Sequence, residues 1–115
     1  MLAVGDGYSL YLPEDEWQAE DTDSWRMAVN EQIRLWVTHF EGVTPDFVNQ
    51  ELEADGYMTE EDYHKWKQEG DLIYHVHLKA SENDVWGIFY SYPIEVEEGW
   101  GRELPVIADT FAADY

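Results

Sequence analysis

The sequence predicts one α+β domain, residues 1–115, with about three helices packed on one face of a small antiparallel sheet of three to five strands. Three observations lead there. Apolar residues recur at helical spacing across residues 24–41, and the pattern becomes strict alternation over residues 72–79. The length of 115 residues suits one folded unit, and neither an internal repeat nor a low-complexity linker divides it.

The first strand is expected at residues 8–12, where Tyr8, Leu10 and Leu12 alternate with Ser9 and Tyr11 before Pro13 ends the run. An acidic loop follows, carrying Glu14, Asp15, Glu16, Glu20, Asp21 and Asp23 with no positive charge until Arg26. Asp23 or Ser24 then caps a helix to about Glu41, because Trp25, Val29, Ile33, Trp36 and Phe40 recur at steps of four, four, three and four. Gly42 suits its end. Thr44 and Pro45 open a second, shorter helix with the cap and first-turn proline expected there, and Phe47, Val48 and Leu52 face inward. Gly56 closes it. Thr59, followed by Glu60, Glu61 and Asp62 and later by Lys65 and Lys67, starts a third helix to residue 68 or 69 whose charge order suits the helix dipole.

Beyond Gly70 the period is two. Leu72, Tyr74, Val76 and Leu78 share one face, with Ile73, His75, His77 and Lys79 opposite. Ser81, Glu82, Asn83 and Asp84 read as a turn into a second strand over residues 85–92, which carries Trp86, Ile88, Tyr90 and Tyr92 on one side. A third strand is expected at residues 94–97, then a glycine-flanked loop around Trp100. Residues 104–115 read equally as a strand or as a short helix started by Pro105.

Charge dominates the composition. There are 26 Asp plus Glu against 6 Lys plus Arg, a formal net charge of −20, yet 44% of residues are hydrophobic and 16% aromatic. The apolar content places the chain among folded proteins rather than acidic disordered tails. Self-repulsion on this scale opposes a compact state and speaks to association and solubility. It argues against direct contact with DNA, RNA or anionic lipid, since phosphates are held by the Lys and Arg that are scarce here. The absence of cysteine removes disulfides, thiolate zinc sites and cysteine nucleophiles, and implies a reducing compartment. With neither a signal-like h-region nor a membrane-length apolar run, the expected location is the cytoplasm.

Local chemistry is sparse. His75 and His77 lie on one strand face with Glu82 just beyond, and the run Gly70, His75, His77, Glu82, Gly87 resembles the first cupin motif. That resemblance implies a divalent metal held by His75, His77 and Glu82 inside a β-barrel. The spacings are shorter than the cupin pattern, no later motif with a third His follows, and the helical reading of the first half does not fit a barrel. The weight falls on a structural role, with no metal and no cofactor. His39 near a helix C-terminus favours the dipole, and His64 reads as a surface residue. Gly5 and Gly7 lack the third glycine and following helix of a phosphate cradle, and no serine sits in a nucleophile elbow, so no enzyme is expected.

The charge itself then carries the functional expectation. Duplex DNA has one charge per ~1.7 Å of axis, so twenty charges correspond to about 34 Å, close to the width of a globule this size. In size, charge, lack of cysteine and aromatic content the chain resembles the small acidic antirestriction and anti-CRISPR proteins of phages, a likeness of composition that implies a DNA mimic. The partner expected is the basic nucleic-acid-binding surface of a host defence nuclease or surveillance complex, occluded without turnover. The candidate contacts are Glu14, Asp15, Glu16, Glu20, Asp21 and Asp23, then Glu51, Glu53, Asp55, Glu60, Glu61 and Asp62, with Trp100 between Gly99 and Gly101 as an aromatic anchor. Three alternatives stand beside it: an immunity protein that neutralises a nuclease toxin, a halophile's protein whose acidity only keeps it hydrated, and a small metal-binding cupin-like protein.

Overall fold

The computed structural model describes residues 2–5, 7–12, 17–21, 23–27, 32–61, 64–80, 84–96 and 104–113. In chain order the strands are β1 (Leu2–Gly5), β2 (Tyr8–Tyr11), β3 (Trp17–Asp21), β4 (Ser24–Met27) and β5 (Arg34–Glu41). Helix α1 (Pro45–Ala54) follows, then β6 (Met58–Glu61), β7 (His64–Glu69), β8 (Leu72–Ala80) and β9 (Asp84–Pro93). A 3₁₀ turn (Ile94–Val96), a helical segment at residues 104–109 and the short β10 (Ala112–Ala113) complete the described chain.

Seven strands form one sheet in the order β3-β4-β5-β9-β8-β7-β6, and β1-β2-β10 form a second. Every pairing is antiparallel. The large sheet runs as hairpins except at one place, where α1 carries the chain from the central β5 to the edge strand β6 and covers one sheet face on the way. Val48 and Leu52 of α1 bury there with Tyr57, Val76, Leu78, Val85 and Phe89. The opposite face packs Ile73, Trp86, Ile88, Tyr90 and Tyr92 against Tyr8 and Leu10 of β2 and against Leu104, Ile107 and Ala108.

Helix α1 forms where its end signals are strongest. Thr44 accepts a hydrogen bond from the Phe47 N–H at 3.2 Å, and Pro45 fills the first turn. At the other end Tyr57 N donates to Leu52 O at 3.0 Å and Gly56 N to Glu53 O at 3.1 Å, while Gly56 takes φ 99°. That is a Schellman cap, and its accompanying apolar contact is Tyr57 with Leu52 in the same buried cluster.

Elsewhere the expected architecture is overturned. The sheet has seven strands rather than three to five, and α1 is the sole helix of more than two turns among the described residues. The long helix expected over residues 24–41 is instead β4 and β5. Its spacing of apolar residues arises because β5 is covered on both faces: Leu35 and Val37 pack on the β2 side, Trp36 and Phe40 on the α1 side. A strand apolar on both faces loses its alternation and matches a helical template by chance. The third helix expected over residues 59–69 is the hairpin β6–β7. Its acids and lysines suited a helix dipole, but His64–Glu69 alternates, and Gly70–Asp71 is a two-residue hairpin loop with Gly70 at φ 60°.

The strands expected at residues 8–12, 72–79 and 85–92 are β2, β8 and β9, and the helix opened by Thr44 and Pro45 is α1. The strand expected at 94–97 is a 3₁₀ turn, and the terminal segment contains both a helical stretch and β10.

Gly87, in β9 on the α1 side, has no room for a side chain: a Cβ there would sit 2.7 Å from Phe89 Cε1 and 3.1 Å from Phe40 Cε2. We predict that Gly87→Ala costs about 1–3 kcal/mol of stability through overpacking, read as a lower midpoint in urea, whereas Gly42→Ala, with nothing within 4 Å but a φ of 68°, suffers only backbone strain. Equal stability of Gly87→Ala and the parent chain would contradict this packing.

Candidate functional site

The surface divides its charges unevenly. Among the described residues, Glu41, Asp46, Glu51, Glu53, Asp55, Glu60, Glu69, Asp71, Glu95 and Asp109 are exposed, while Asp23 and Asp84 are half-buried. None of the described cations is exposed: Lys65 is buried, and Arg26, Arg34, Lys67 and Lys79 are half-buried. The strand period explains the two central lysines. Alternation along β7 turns Lys65 and Lys67 toward α1 and His64 and Trp66 to the other face.

Lys65 is 3% exposed, and its ammonium donates to Thr59 Oγ1 at 2.8 Å and to Glu53 Oε1 at 3.2 Å. A lysine is buried this far only when paired. Lys67 lies 4.8 Å from the Tyr57 ring centre and 5.4 Å from that of Tyr74, with Asp55 Oδ2 at 3.6 Å and Glu69 Oε1 at 3.3 Å. Lys79 approaches Asp109 at 3.9 Å. Lys65 and Lys67 therefore neutralise nearby carboxylates from within, and their stems cover apolar surface.

This changes the standing of the acids singled out from sequence. Glu53 and Asp55 are engaged with Lys65 and Lys67, and Asp23 accepts the Tyr8 hydroxyl at 2.6 Å. That bond links β2 to the β3–β4 turn; burial and the adjacent carboxylate both push the Tyr8 phenol upward from its ordinary value. Glu51 in α1 and Glu60 in β6 are exposed. The backbones of Glu20 and Asp21 lie in β3 and that of Glu61 in β6. Glu14, Asp15, Glu16, Asp62, Glu82 and Trp100 lie outside the described residues.

A second concentration of chemistry was only half visible in the sequence. His75 and His77 do share a face of β8, and the β7–β8 register sets His64 directly opposite His77. His64 Nε2 and His75 Nδ1 are 2.8 Å apart, so one ring donates and the other accepts. His64 and His77 stack at 4.0 Å with planes 20° apart. From β9, the Tyr90 hydroxyl meets His77 Nε2 at 2.9 Å and the Tyr92 hydroxyl meets His75 Nε2 at 3.2 Å. Burial first, and the field of His64 second, lower His75 from 6.5 to about 4; burial, then His64, His75 and Lys79, lower His77 to about 3.

Stacked rings direct their in-plane lone pairs along parallel planes rather than to one point, and among the described residues no three His, Asp or Glu side chains are arranged to hold a metal. The His75 and His77 pair is half-buried and hydrogen-bonded to tyrosines. His64, expected on an exposed helix, was missed because its strand was misread; the Gly70–Asp71 hairpin signal next to alternating residues was the clue. His39 is likewise on a strand, not at a helix end. It stacks on Trp86 at 3.9 Å, with Asp84 Oδ2 at 3.4 Å.

A cavity of about 320 Å³ lies at the turn end of the sheet, lined by Gln32, Asp71, Leu72, Pro93, Ile94 and Glu95. The Leu72–Pro93 pairing and a bond from Ile94 N to Asp71 O at 2.8 Å hold its walls together.

The lowered imidazoles set a sign for acid sensitivity. The unfolded chain takes up protons near pH 6.5 while folded His75 and His77 resist them, so their contribution is complete above 6.5 and is lost as pH falls toward about 4 and about 3. Between pH 7 and 4 the parent chain should lose more stability than a His75→Gln, His77→Gln variant, in urea midpoints taken at each pH. Carboxylate titration is common to both, so parallel curves would refute the assignment.

No family model and no curated protein matches the sequence. Among solved structures, the fold is similar to the solution structure of cyanobacterial PsbP (CyanoP) from Synechocystis sp. PCC 6803. The TM-score is 0.59 at 11% identity, covering 96% of this chain and 90% of that one. It is also similar to a 1.50 Å crystal structure from Bacteroides thetaiotaomicron VPI-5482, with a TM-score of 0.58, 15% identity and 95% of this chain covered. This chain spans 46% of the length of that protein. At such identities the likeness is one of fold.

Proposed function

We propose that this chain is an acidic inhibitor protein that occupies the nucleic-acid-binding surface of a basic partner, such as a defence nuclease or surveillance complex, in the manner of a DNA mimic. One observation carries the reading: ten carboxylates are exposed among the described residues, and every described lysine and arginine is wholly or partly buried. Solubility of a small domain asks for a net charge of only about 2–8 with both signs interspersed, far less than the excess here. One sign alone favours a partner of the opposite sign.

The dimensions agree with the role. The molecule measures 37 Å along its longest axis, and a duplex of that length carries roughly 22 charges at one per ~1.7 Å, against a formal charge of −20 here. Complementary fields of this strength act mainly on the rate of encounter and on partner choice, and salt weakens them. The acids at α1 and β6 sit on a rigid helix and a paired strand, so their spacing is held before binding and little order has to be imposed on contact.

Internal pairing ranks the candidate contacts. Glu53 and Asp55 each have a lysine neighbour and Glu41 has His39 at 3.6 Å, whereas Glu51, Glu60 and Asp46 are exposed carboxylates on α1 and β6. An immunity protein that blocks a nuclease toxin would use the same surface, and the two differ in the partner captured.

The test is a capture from host lysate at low and high salt, with nucleic acid added as competitor. Basic nucleic-acid-binding proteins should be retained at low salt, released at high salt and displaced by duplex DNA. A Glu51→Lys, Glu60→Lys variant should weaken retention about tenfold or more, as expected when like charges face each other across an interface, without lowering the thermal midpoint. Retention indifferent to salt, or unaltered by charge reversal here and at Glu20, Asp21 and Asp23, would overturn the proposal.

A further inference from the structure

We infer that the cavity at the turn end of the large sheet is a receptor for an arginine side chain of the basic partner. The inference rests on the acidic-inhibitor reading and gives that surface a specific point of attachment. Its walls are of two kinds. Asp71 and Glu95 bring carboxylates, Gln32 brings an amide, and Leu72, Pro93 and Ile94 bring apolar surface.

The volume of about 320 Å³ falls at the lower end of what ligand clefts reach. Its lining matches a side chain that is apolar along its stem and cationic at its tip. An arginine methylene stem packs on Leu72, Pro93 and Ile94, and its planar guanidinium offers donors to two carboxylates at once. A lysine ammonium is a more strongly hydrated point charge and gains less from a half-apolar wall. A hard metal cation needs a shell of oxygens, which three apolar side chains out of six cannot supply.

The site is formed before anything enters it. Leu72 faces Pro93 in the β8–β9 ladder, Ile94 N donates to Asp71 O, and Gln68 Nε2 donates to Gly70 O at 3.0 Å across the turn that carries Asp71. Ile94 is 43% exposed at the cavity, an apolar residue the fold leaves uncovered. Arginine anchors seated against apolar side chains are the usual centres of binding energy in interfaces. The ion pairs of Lys65, Lys67 and Lys79 are made with Glu53, Asp55, Glu69 and Asp109, not with the two carboxylates of the cavity.

The probe is a capped Gly-Arg-Gly peptide titrated into the full chain while the methyl signals of Leu72 and Ile94 are followed by NMR. The expected result is a saturable shift of both with the arginine peptide, a smaller one with Gly-Lys-Gly, and none with the citrulline peptide, which is isosteric but uncharged. An Asp71→Asn, Glu95→Gln variant should bind the arginine peptide about three- to tenfold more weakly, the range for exposed charge-assisted contacts. Ile94→Trp should block it sterically while leaving both carboxylates in place. Equal shifts with citrulline, or affinity unaltered in both variants, overturn the inference. If those variants also retain the salt-sensitive partner, only the arginine receptor falls; if the parent chain shows no salt-sensitive partner at all, the inhibitor reading falls with it.

Discussion

The structure depends on the burial of β9 between β5 and β8. Residues 85–93 of this ten-residue strand are all buried, and its backbone pairs on both sides with long antiparallel neighbours. Unpaired peptide groups at such depth would be costly, so both ladders are required. Both sheet faces must be covered too. Helix α1 covers one, and β2 with the helical segment at residues 104–109 covers the other. Once aromatic and aliphatic side chains occupy those two layers, ionised groups are left to the rim and the outer surfaces.

A body that must carry −20 charges faces self-repulsion in proportion to how closely the carboxylates crowd. The fold relieves this locally. Lys65 and Lys67 rise from β7 beneath α1 and meet Glu53, Asp55 and Glu69 from the inside, with Tyr57 and Tyr74 around the Lys67 ammonium. Cations placed inward stabilise the helix-on-sheet contact while the exposed charged groups among the described residues remain acidic. Screening at physiological salt acts over about 8 Å, so over a 37 Å molecule a partner senses patches rather than the total.

The histidine group follows from register rather than from composition. A one-residue slip between β7 and β8 would send His64 to the opposite face from His77. With the register as it is, three imidazoles and the hydroxyls of Tyr90 and Tyr92 satisfy one another inside a strongly anionic protein. Burial holds His75 and His77 uncharged at neutral pH despite the acidic surroundings, because desolvation outweighs the distant negative field.

The elements legible beforehand were those with local signatures. Thr44, Pro45 and Gly56 mark α1 by backbone chemistry that needs no neighbours, and residues 72–79 and 85–92 alternate enough to declare themselves strands. The surplus of acid likewise follows from counting residues. Residues 24–41 and 59–69 were misread because their true character depends on what lies above and below them. Trp36 and Phe40 are inward on one face and Leu35 and Val37 on the other only once α1 and β2 are both in place. The same holds for the sites: that Glu53 and Asp55 are paired, that His64 joins His75, and that Asp71 and Glu95 share a cavity are facts of distance across the sheet. Sequence alone determined composition, caps and period; strand order and register decided which charges meet, since residues far apart in the chain become neighbours only through pairing.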